Sequence, residues 1–326
     1  MFNTDLHKFS PINLCKLMFK KYKMDIKSLK TYFFTELQTI QEDVEIESFF
    51  FILTEFLHNI KRIDVSLHPD FEITELYFKK WQTIISELKT EKPIQYIIGE
   101  AWFYGLRFEV NEHTLIPRPE TEELVEWIVE SQKSKVESQK SKAQNLNIQK
   151  SNNLTILDIG TGSGCIPISL KKEIPNAQVS AIDVSEKALE MARKNALDNQ
   201  VEVNFIQQDI LQSSNLQISK SSNLLFDVIV SNPPYVRNLE KQEIKRNVLD
   251  YEPHLALFVA DSDALLFYRK IAQLALKSLA PNGKLFFEIN QYQGKETIEL
   301  LEQLGFKNIE LRKDFMGNDR MICASL

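Results

Sequence analysis

At 326 residues, 43% of them apolar and 26% charged, the chain is long enough for two domains with separate cores and far from the composition of a disordered protein. A formal net charge of -6 excludes the global basic field that would hold duplex nucleic acid through many phosphates. Cys15, Cys165 and Cys323 lie far apart with no C-x-x-C spacing, and the five histidines form no H-x-x-H pattern, so neither a disulfide framework nor a metal site is signalled and a reducing cytoplasm is expected.

In chain order, Asp5, His7 and Lys8 interrupt any signal-peptide pattern at the N-terminus. From residue 10 to about 90 apolar positions recur at helical spacing, as in Ile73, Leu76, Tyr77, Trp81, Ile84, Ile85 and Leu88, and no glycine precedes Gly99. Within this stretch "SFFFILTEFL" at 48 to 57 is about half the length of a membrane span and holds Thr54 and Glu55, which makes it a core helix. Residues 1–92 therefore read as a small all-helical domain. Residues 93–117 change texture, with Gly99 and Gly105 as punctuation and Leu106, Phe108 and Val110 in alternation, and read as a hairpin linking two domains.

Residues 118–326 form the second domain. A helix after Pro119 is expected to run to about 131, followed at 131–153 by a near-tandem SQKSK insert. With five lysines, one glutamate and almost nothing to bury, the insert reads as a solvated loop. A second polar stretch at 212–222 has the same character. From 154 strands and helices alternate: "LTILDI", "GCIPISLKKE", "QVSAID", "SEKALEMARKNALDN", "EVNFI" and "LFDVIVS". Such alternation predicts an α/β fold with parallel strands and helices on both faces. Ser185 caps a helix whose Ala188, Leu189, Ala192 and Ala196 line one side. A helix from about 261 to 280, "KLFFEI", a helix near 291 to 304, "KNIELR" and "RMICAS" complete seven strands, and the consecutive late strands permit an antiparallel edge.

"LDIGTGSGC" places Gly160, Gly162 and Gly164 directly after the first strand and at the start of a helix. Glycine there lets a ligand lie against the backbone, and the helix N-terminus offers free N–H groups; the alternative is a tight, closely packed turn. Asp183 ends the second strand 23 residues beyond Gly160, where an acid reaches the hydroxyls of a cofactor ribose, unless it serves only the next helix start. Asp209, after the third strand, falls where an acceptor would meet the amino group of adenine. A dinucleotide fingerprint wants a third glycine or alanine where this chain has Cys165, which favours S-adenosylmethionine over a nicotinamide cofactor.

"SNPPYV" follows the fourth strand and so rims the same side of the sheet. A planar amide or amino nitrogen is a poor nucleophile that needs positioning more than a strong base. The Asn232 side-chain oxygen can accept one of its N–H groups, and a main-chain carbonyl beside Pro233 and Pro234 the other. The prolines fix φ and bring no competing N–H, and Tyr235 would form an apolar wall against the planar group. The competing interpretation is a proline-stiffened turn in which Asn232 satisfies local backbone groups.

Taken together, "NPPY", "LDIGTGSGC", "IPRPETEELVE" and "DYEPHLALF" make residues 93–326 resemble the release factor glutamine methyltransferase family (PrmC/HemK), whose helical N-terminal domain and hairpin the chain also shares in layout. The resemblance implies a Rossmann-like class I methyltransferase domain. It implies methyl transfer from S-adenosyl-L-methionine to the side-chain amide nitrogen, N5, of the glutamine in the Gly-Gly-Gln loop of class I peptide-chain release factors. It places cofactor binding on Gly160, Thr161, Gly162, Ser163, Gly164, Asp183, Asp209, Ile210 and Asn232. Substrate binding falls on Asn232, Pro233, Pro234 and Tyr235, and catalysis on Asn232, Pro233 and Tyr235. The helical domain would recognise the release factor. A cytoplasmic monomer with no metal, no membrane and no direct nucleic acid partner is expected. Ile210 departs from the family, which often has an aromatic ring beside adenine, and so does the insert at 131–153, which falls before the first strand. Arg118, Glu120 and Glu252 look like signature positions, open to structural ion pairing or direct contact. Two rival functions are methylation of a nucleic-acid amino nitrogen (adenine N6 or guanine N2), which would want a basic face, and a module that binds cofactor or protein without catalysis.

Overall fold

Asp25 opens the first described helix by accepting the Ser28 N–H at 2.7 Å, as an N-cap should. The computed structural model describes residues 24–143, 154–212 and 225–326, with backbone alone for 134–143. Cys15, the N-terminal leader reading, and most of the polar stretch at 212–222 lie outside the described residues. The chain divides into two compact units between Ile98 and Gly99, so residues 93–98 go with the helical part and the hairpin with the second unit.

In the first unit a two-residue pair, β1 (Met24–Asp25) with β2 (Glu72–Ile73), ties together α1 (Ile26–Leu37), α2 (Asp43–His58), α3 (Arg62–Leu67) and α4 (Glu75–Leu88), and α5 (Ile94–Ile98) follows. α2 contains "FFFILTEFL" and turns Ile46, Phe50, Leu53 and Thr54 inward at helical spacing. No helix among the described residues is long and apolar enough to cross a membrane. Phe33, Phe50 and Trp81 meet at the centre, the Phe33 ring edge-on to Trp81 at 5.4 Å between centroids. In α4 the buried stripe is Phe78, Trp81, Ile84, Ile85 and Leu88, and the expected Leu76 is instead 66% exposed. Its position two residues before Phe78 turns it about 200° away around the helix.

The second unit begins with the hairpin β3 (Glu100–Phe103) and β4 (Leu106–Glu109). α6 opens on Pro119, whose missing N–H is harmless at a first helical position. It does not stop at 131: it runs to Ala143, into the segment expected to be a loop. Leu124, Val125, Trp127, Ile128 and Val129 anchor its first turns. Beyond them the sequence is rich in Lys, Gln and Glu, which are good helix formers, and no Gly or Pro interrupts it. The apolar patterning of the sequence ends before the helix does.

A seven-stranded sheet follows, built from β5 (Thr155–Ile159), β6 (Gln178–Asp183), β7 (Asn204–Gln207), β8 (Phe226–Ser231), β11 (Leu279–Glu288), β12 (Lys307–Lys313) and β13 (Asp319–Ser325). A short parallel pair, β9 (Val236–Arg237) with β10 (Phe258–Val259), stands apart from it. The order is β12-β13-β11-β8-β5-β6-β7, and β13 alone runs antiparallel, the edge the late strands permitted. α6, α7 (Cys165–Glu173) and α8 (Glu186–Asp198) cover one face with the hairpin residues Phe103 and Phe108. α9 (Arg246–Leu249) and α10 (His254–Leu257) are single turns. α11 (Leu266–Ser278) and α12 (Gly294–Gln303) cover the other face, with Tyr268, Ile271 and Leu301 buried. Alternation through the sheet is visible in β8, where Val228 and Val230 face one layer and Ile229 the other.

Candidate active site

β5 is the first long strand, and the chain leaves it on one side for β6 and β7 before crossing back to β8 on the other. The reversal opens a crevice beyond the strand ends, where open α/β sheets bind ligands. Register brings the ends level: Ile159 pairs with Ile182 and with Ser231, so Gly160, Asp183 and Asn232 all emerge at one edge. A cavity of about 290 Å³ lies there. Gly160, Gly162 and Asp183 form one lip, Asp209 and Ile210 one end, and Asn232, Pro233 and Pro234 the other lip.

The glycine loop divides its residues between cavity and core. Gly160 and Gly162 have φ of +78° and +55°, and a Cβ on either would meet nothing within 4 Å, so the backbone is bare towards the cavity. Gly164 lies away from the cavity: a Cβ there would stand 2.9 Å from Ile168 Cδ1 and 3.1 Å from the Ala192 Cβ, which makes it a packing glycine. Thr161 and Ser163 are buried beneath the loop, their hydroxyls without a hydrogen-bond partner among the described residues. Asp158, one residue before the end of β5, joins them, wholly buried with both oxygens unpartnered. Burial pushes its carboxyl up to about 7, the Asp183 charge adds to the shift, and a nearby Thr161 hydroxyl eases it without completing a hydrogen bond.

Asp183 holds the loop in place, accepting from the Gly162 N–H and from the Ser185 N–H, each at 2.9 Å. Burial raises its carboxyl above the usual range, and those backbone donors pull it back. Asp209 accepts the Leu211 N–H at 2.8 Å and so shapes the next turn. Ile182, Val184, Ile210 and Leu211 make that end of the cavity apolar, a slot suited to a flat ring. Pro253, Leu255 and Ala256 contribute a further wall, and residues 112–115 another. The sequence reading missed both, although "DYEPHLALF" overlaps the first.

Asn232 donates its Nδ2 to the Thr121 hydroxyl oxygen at 3.3 Å. Thr121 in turn donates to Glu288 Oε2 at 2.6 Å. With its nitrogen engaged, the amide has its oxygen left as an acceptor. Tyr235 departs from the expected wall: it is not among the residues lining the cavity, and its hydroxyl donates to Glu288 Oε1 at 3.2 Å. Burial raises the Tyr235 phenol, and the Glu288 charge raises it further. Glu288 itself is pushed up by burial, opposed by the Thr121 hydrogen bond and the Arg320 charge. Arg118 and Glu252 pair with each other at 2.5 Å, and Glu252 also accepts the Ile116 N–H at 3.2 Å, so both join the start of α6 to the segment after β8.

Comparison with known families and proteins fits this geometry. Residues 141–253 match the family described as methyltransferase small domain, and residues 34–99 the PrmC N-terminal domain. A release factor glutamine methyltransferase of Flavobacterium psychrophilum is 57% identical over 299 residues, 92% of this chain and 98% of that protein. The proteins of the same name from Bacteroides thetaiotaomicron and Streptococcus pneumoniae are each 39% identical, over 91% and 88% of this chain and 99% and 94% of theirs. Likeness of this degree over nearly the whole length, with both lips of the cavity built from the motifs that suggested it, shows that the chain belongs to the release factor glutamine methyltransferase family.

Proposed function

We propose that this protein transfers the methyl group of S-adenosylmethionine to N5 of the glutamine in the Gly-Gly-Gln loop of class I peptide-chain release factors. The observation that carries this is Asn232: it stands at the cavity lip level with Gly160 and Asp183, its amide nitrogen tied to Thr121 and its oxygen an acceptor. The donor set also fits S-adenosylmethionine. Bare backbone at Gly160 and Gly162 suits close approach of the methionine part, Asp183 suits ribose hydroxyls, and the Ile210 end suits a flat ring next to Asp209. When bound, that cofactor supplies an electrophilic methyl group on a positively charged sulfur.

The chain's own residues have the task of orientation. Asn232 Oδ1 accepts one N–H of the incoming glutamine amide, and a main-chain carbonyl beside Pro233 accepts the other, which turns the nitrogen lone pair towards the methyl carbon. The bound cofactor would take the electron pair of its broken carbon–sulfur bond, and the extra proton of the nitrogen held by Asn232 would pass to water. A planar amide so held needs no strong base. Pro234, Pro253, Leu255 and Ala256 give this side of the cavity an apolar lining. In this reading the helical unit recognises the release factor, and the protein works in the cytoplasm as a monomer. The net charge of -6 supports a protein substrate over nucleic acid.

The test incubates the purified protein with methyl-labelled S-adenosylmethionine and, in separate arms, a class I release factor, its Gly-Gly-Ala variant, and DNA. Label is expected in the first arm alone, and Asn232→Ala should lower that turnover at least ~100-fold through lost positioning. Label in DNA and none in the release factor would reverse the substrate assignment.

A further inference from the structure

Glu288 is the last residue of β11, and because Phe287 pairs with Ser231 it stands level with Asn232. Its side chain is buried, with one oxygen taken by the Thr121 hydroxyl and the other by the Tyr235 hydroxyl. Glu288 has no part in the chemistry described above, where Thr121 enters only as the partner of the Asn232 amide nitrogen.

The direction of these hydrogen bonds decides what Asn232 can do. An ionised carboxylate only accepts, so the single Thr121 proton points to Glu288 and the Thr121 lone pairs face Asn232. Against a lone pair the amide can set only its Nδ2, as it does at 3.3 Å. Were the amide turned over, Oδ1 would oppose the Thr121 lone pairs and an N–H would face the incoming substrate N–H, donor against donor. We infer that Glu288, acting through Thr121, is the positioning residue that fixes the amide orientation of Asn232, and that its second oxygen holds the Asn-Pro-Pro-Tyr turn through Tyr235. This rests on the proposed role of Asn232.

The arrangement works only while Glu288 is ionised. A protonated Glu288 can donate to Thr121 and free the Thr121 proton for Asn232 Oδ1, which reverses the chain. Several groups face this carboxyl. Arg320 on β13, itself held by Asp314, favours the charge; burial and Glu120 on α6 oppose it; Tyr235, Cys165 and Tyr268 stand nearby, Tyr268 donating to the Glu288 carbonyl at 3.3 Å. The net shift is upward, so turnover should fall on the acid side at a pH above the ordinary carboxyl range.

The experiment compares the unaltered protein with Thr121→Val, Thr121→Ser, Glu288→Gln and Asn232→Ala, at saturating S-adenosylmethionine so that groups acting on cofactor binding drop out. Thr121→Val should lower kcat by about 10- to 100-fold, with KM for the release factor and calorimetric cofactor affinity within about threefold. Thr121→Ser, which restores the hydroxyl, should return kcat to within about threefold of the unaltered protein. Glu288→Gln should lower kcat and remove the acid limb of its pH profile. Equal loss in the valine and serine variants, or an acid limb unchanged in Glu288→Gln, would overturn the inference. If Asn232→Ala abolishes turnover while Thr121→Val keeps kcat within about threefold of the unaltered protein, the inference falls and the role of Asn232 stands. No methylation of the release factor by the unaltered protein would overturn both.

Discussion

Gly162 donates its backbone N–H to Asp183 Oδ2 at 2.9 Å, so the carboxylate that ends β6 clamps the glycine loop that ends β5. The Ser185 N–H takes the other oxygen, and each oxygen retains a lone pair for a further donor. One residue thereby shapes the loop and keeps acceptors free, which in the proposed function meet ribose hydroxyls. Asp183→Ala should weaken S-adenosylmethionine binding by about 10- to 100-fold, the range expected from hydrogen bonds to a charged group worth ~1.5–3 kcal/mol. Calorimetry reads this directly, and unchanged affinity would remove the ribose assignment.

The two kinds of glycine in the loop should respond differently to alanine. At Gly164 an added Cβ meets Ile168 and Ala192 at a φ of +82°, so Gly164→Ala should cost about 2–4 kcal/mol of stability, read by urea unfolding. At Gly162 the Cβ has open space, and the cost is the left-handed backbone alone, about 1–2 kcal/mol. Gly162 lines the cavity, and in the proposed function the added Cβ meets the cofactor there, so Gly162→Ala should lose cofactor affinity out of proportion to stability. Equal affinity loss in the two variants would contradict this division.

How much of this was legible in the sequence depends on whether the signal was local. Strands such as "LTILDI" and "DVIVS" carry their own apolar runs, and Ser185 caps α8 in place, accepting the Ala188 N–H at 3.2 Å. The cavity residues Gly160, Asp183 and Asn232 were readable because each ends or directly follows a strand. Glu288 was not, being one acid at the end of an apolar run whose partner Thr121 lies 167 residues away. Only the sheet register brings the two together. Tyr235 was read as a wall from its place in the motif, but its hydroxyl needs a buried acceptor, and Glu288 supplies one. In α6, lost hydrophobicity was mistaken for lost helix.

His58 offers a titration in the helical unit. Its Nε2 accepts the Trp81 indole N–H at 3.0 Å, which requires that nitrogen to be unprotonated. Burial lowers the His58 pKa, helped by the Lys80 charge. A histidine depressed in the folded state contributes stability at high pH that is lost as pH falls below the unfolded value near 6.5. Between pH 7.5 and 5.5 the Tm should therefore fall more steeply in the unaltered protein than in His58→Gln, whose amide oxygen can accept the same bond at any pH. Parallel curves would show that the ring does not resist protonation.

Asp158 should give the opposite slope. Its carboxyl is wholly buried without a hydrogen-bond partner among the described residues, and burial first, then the Asp183 charge, raises it from the ordinary carboxyl range to about 7. An acid raised on folding binds its proton more tightly in the native state, so stability is full below the unfolded pKa and declines as pH rises towards 7. Asp158→Asn removes the charge and keeps the shape. From pH 5 to 7 the variant should gain on the unaltered protein by up to ~1.4 kcal/mol per pH unit in urea unfolding, and above the folded pKa the difference should level off. A difference that stays flat across this window would mean that Asp158 ionises without penalty, and the polar space beneath the glycine loop would then have to be open to water.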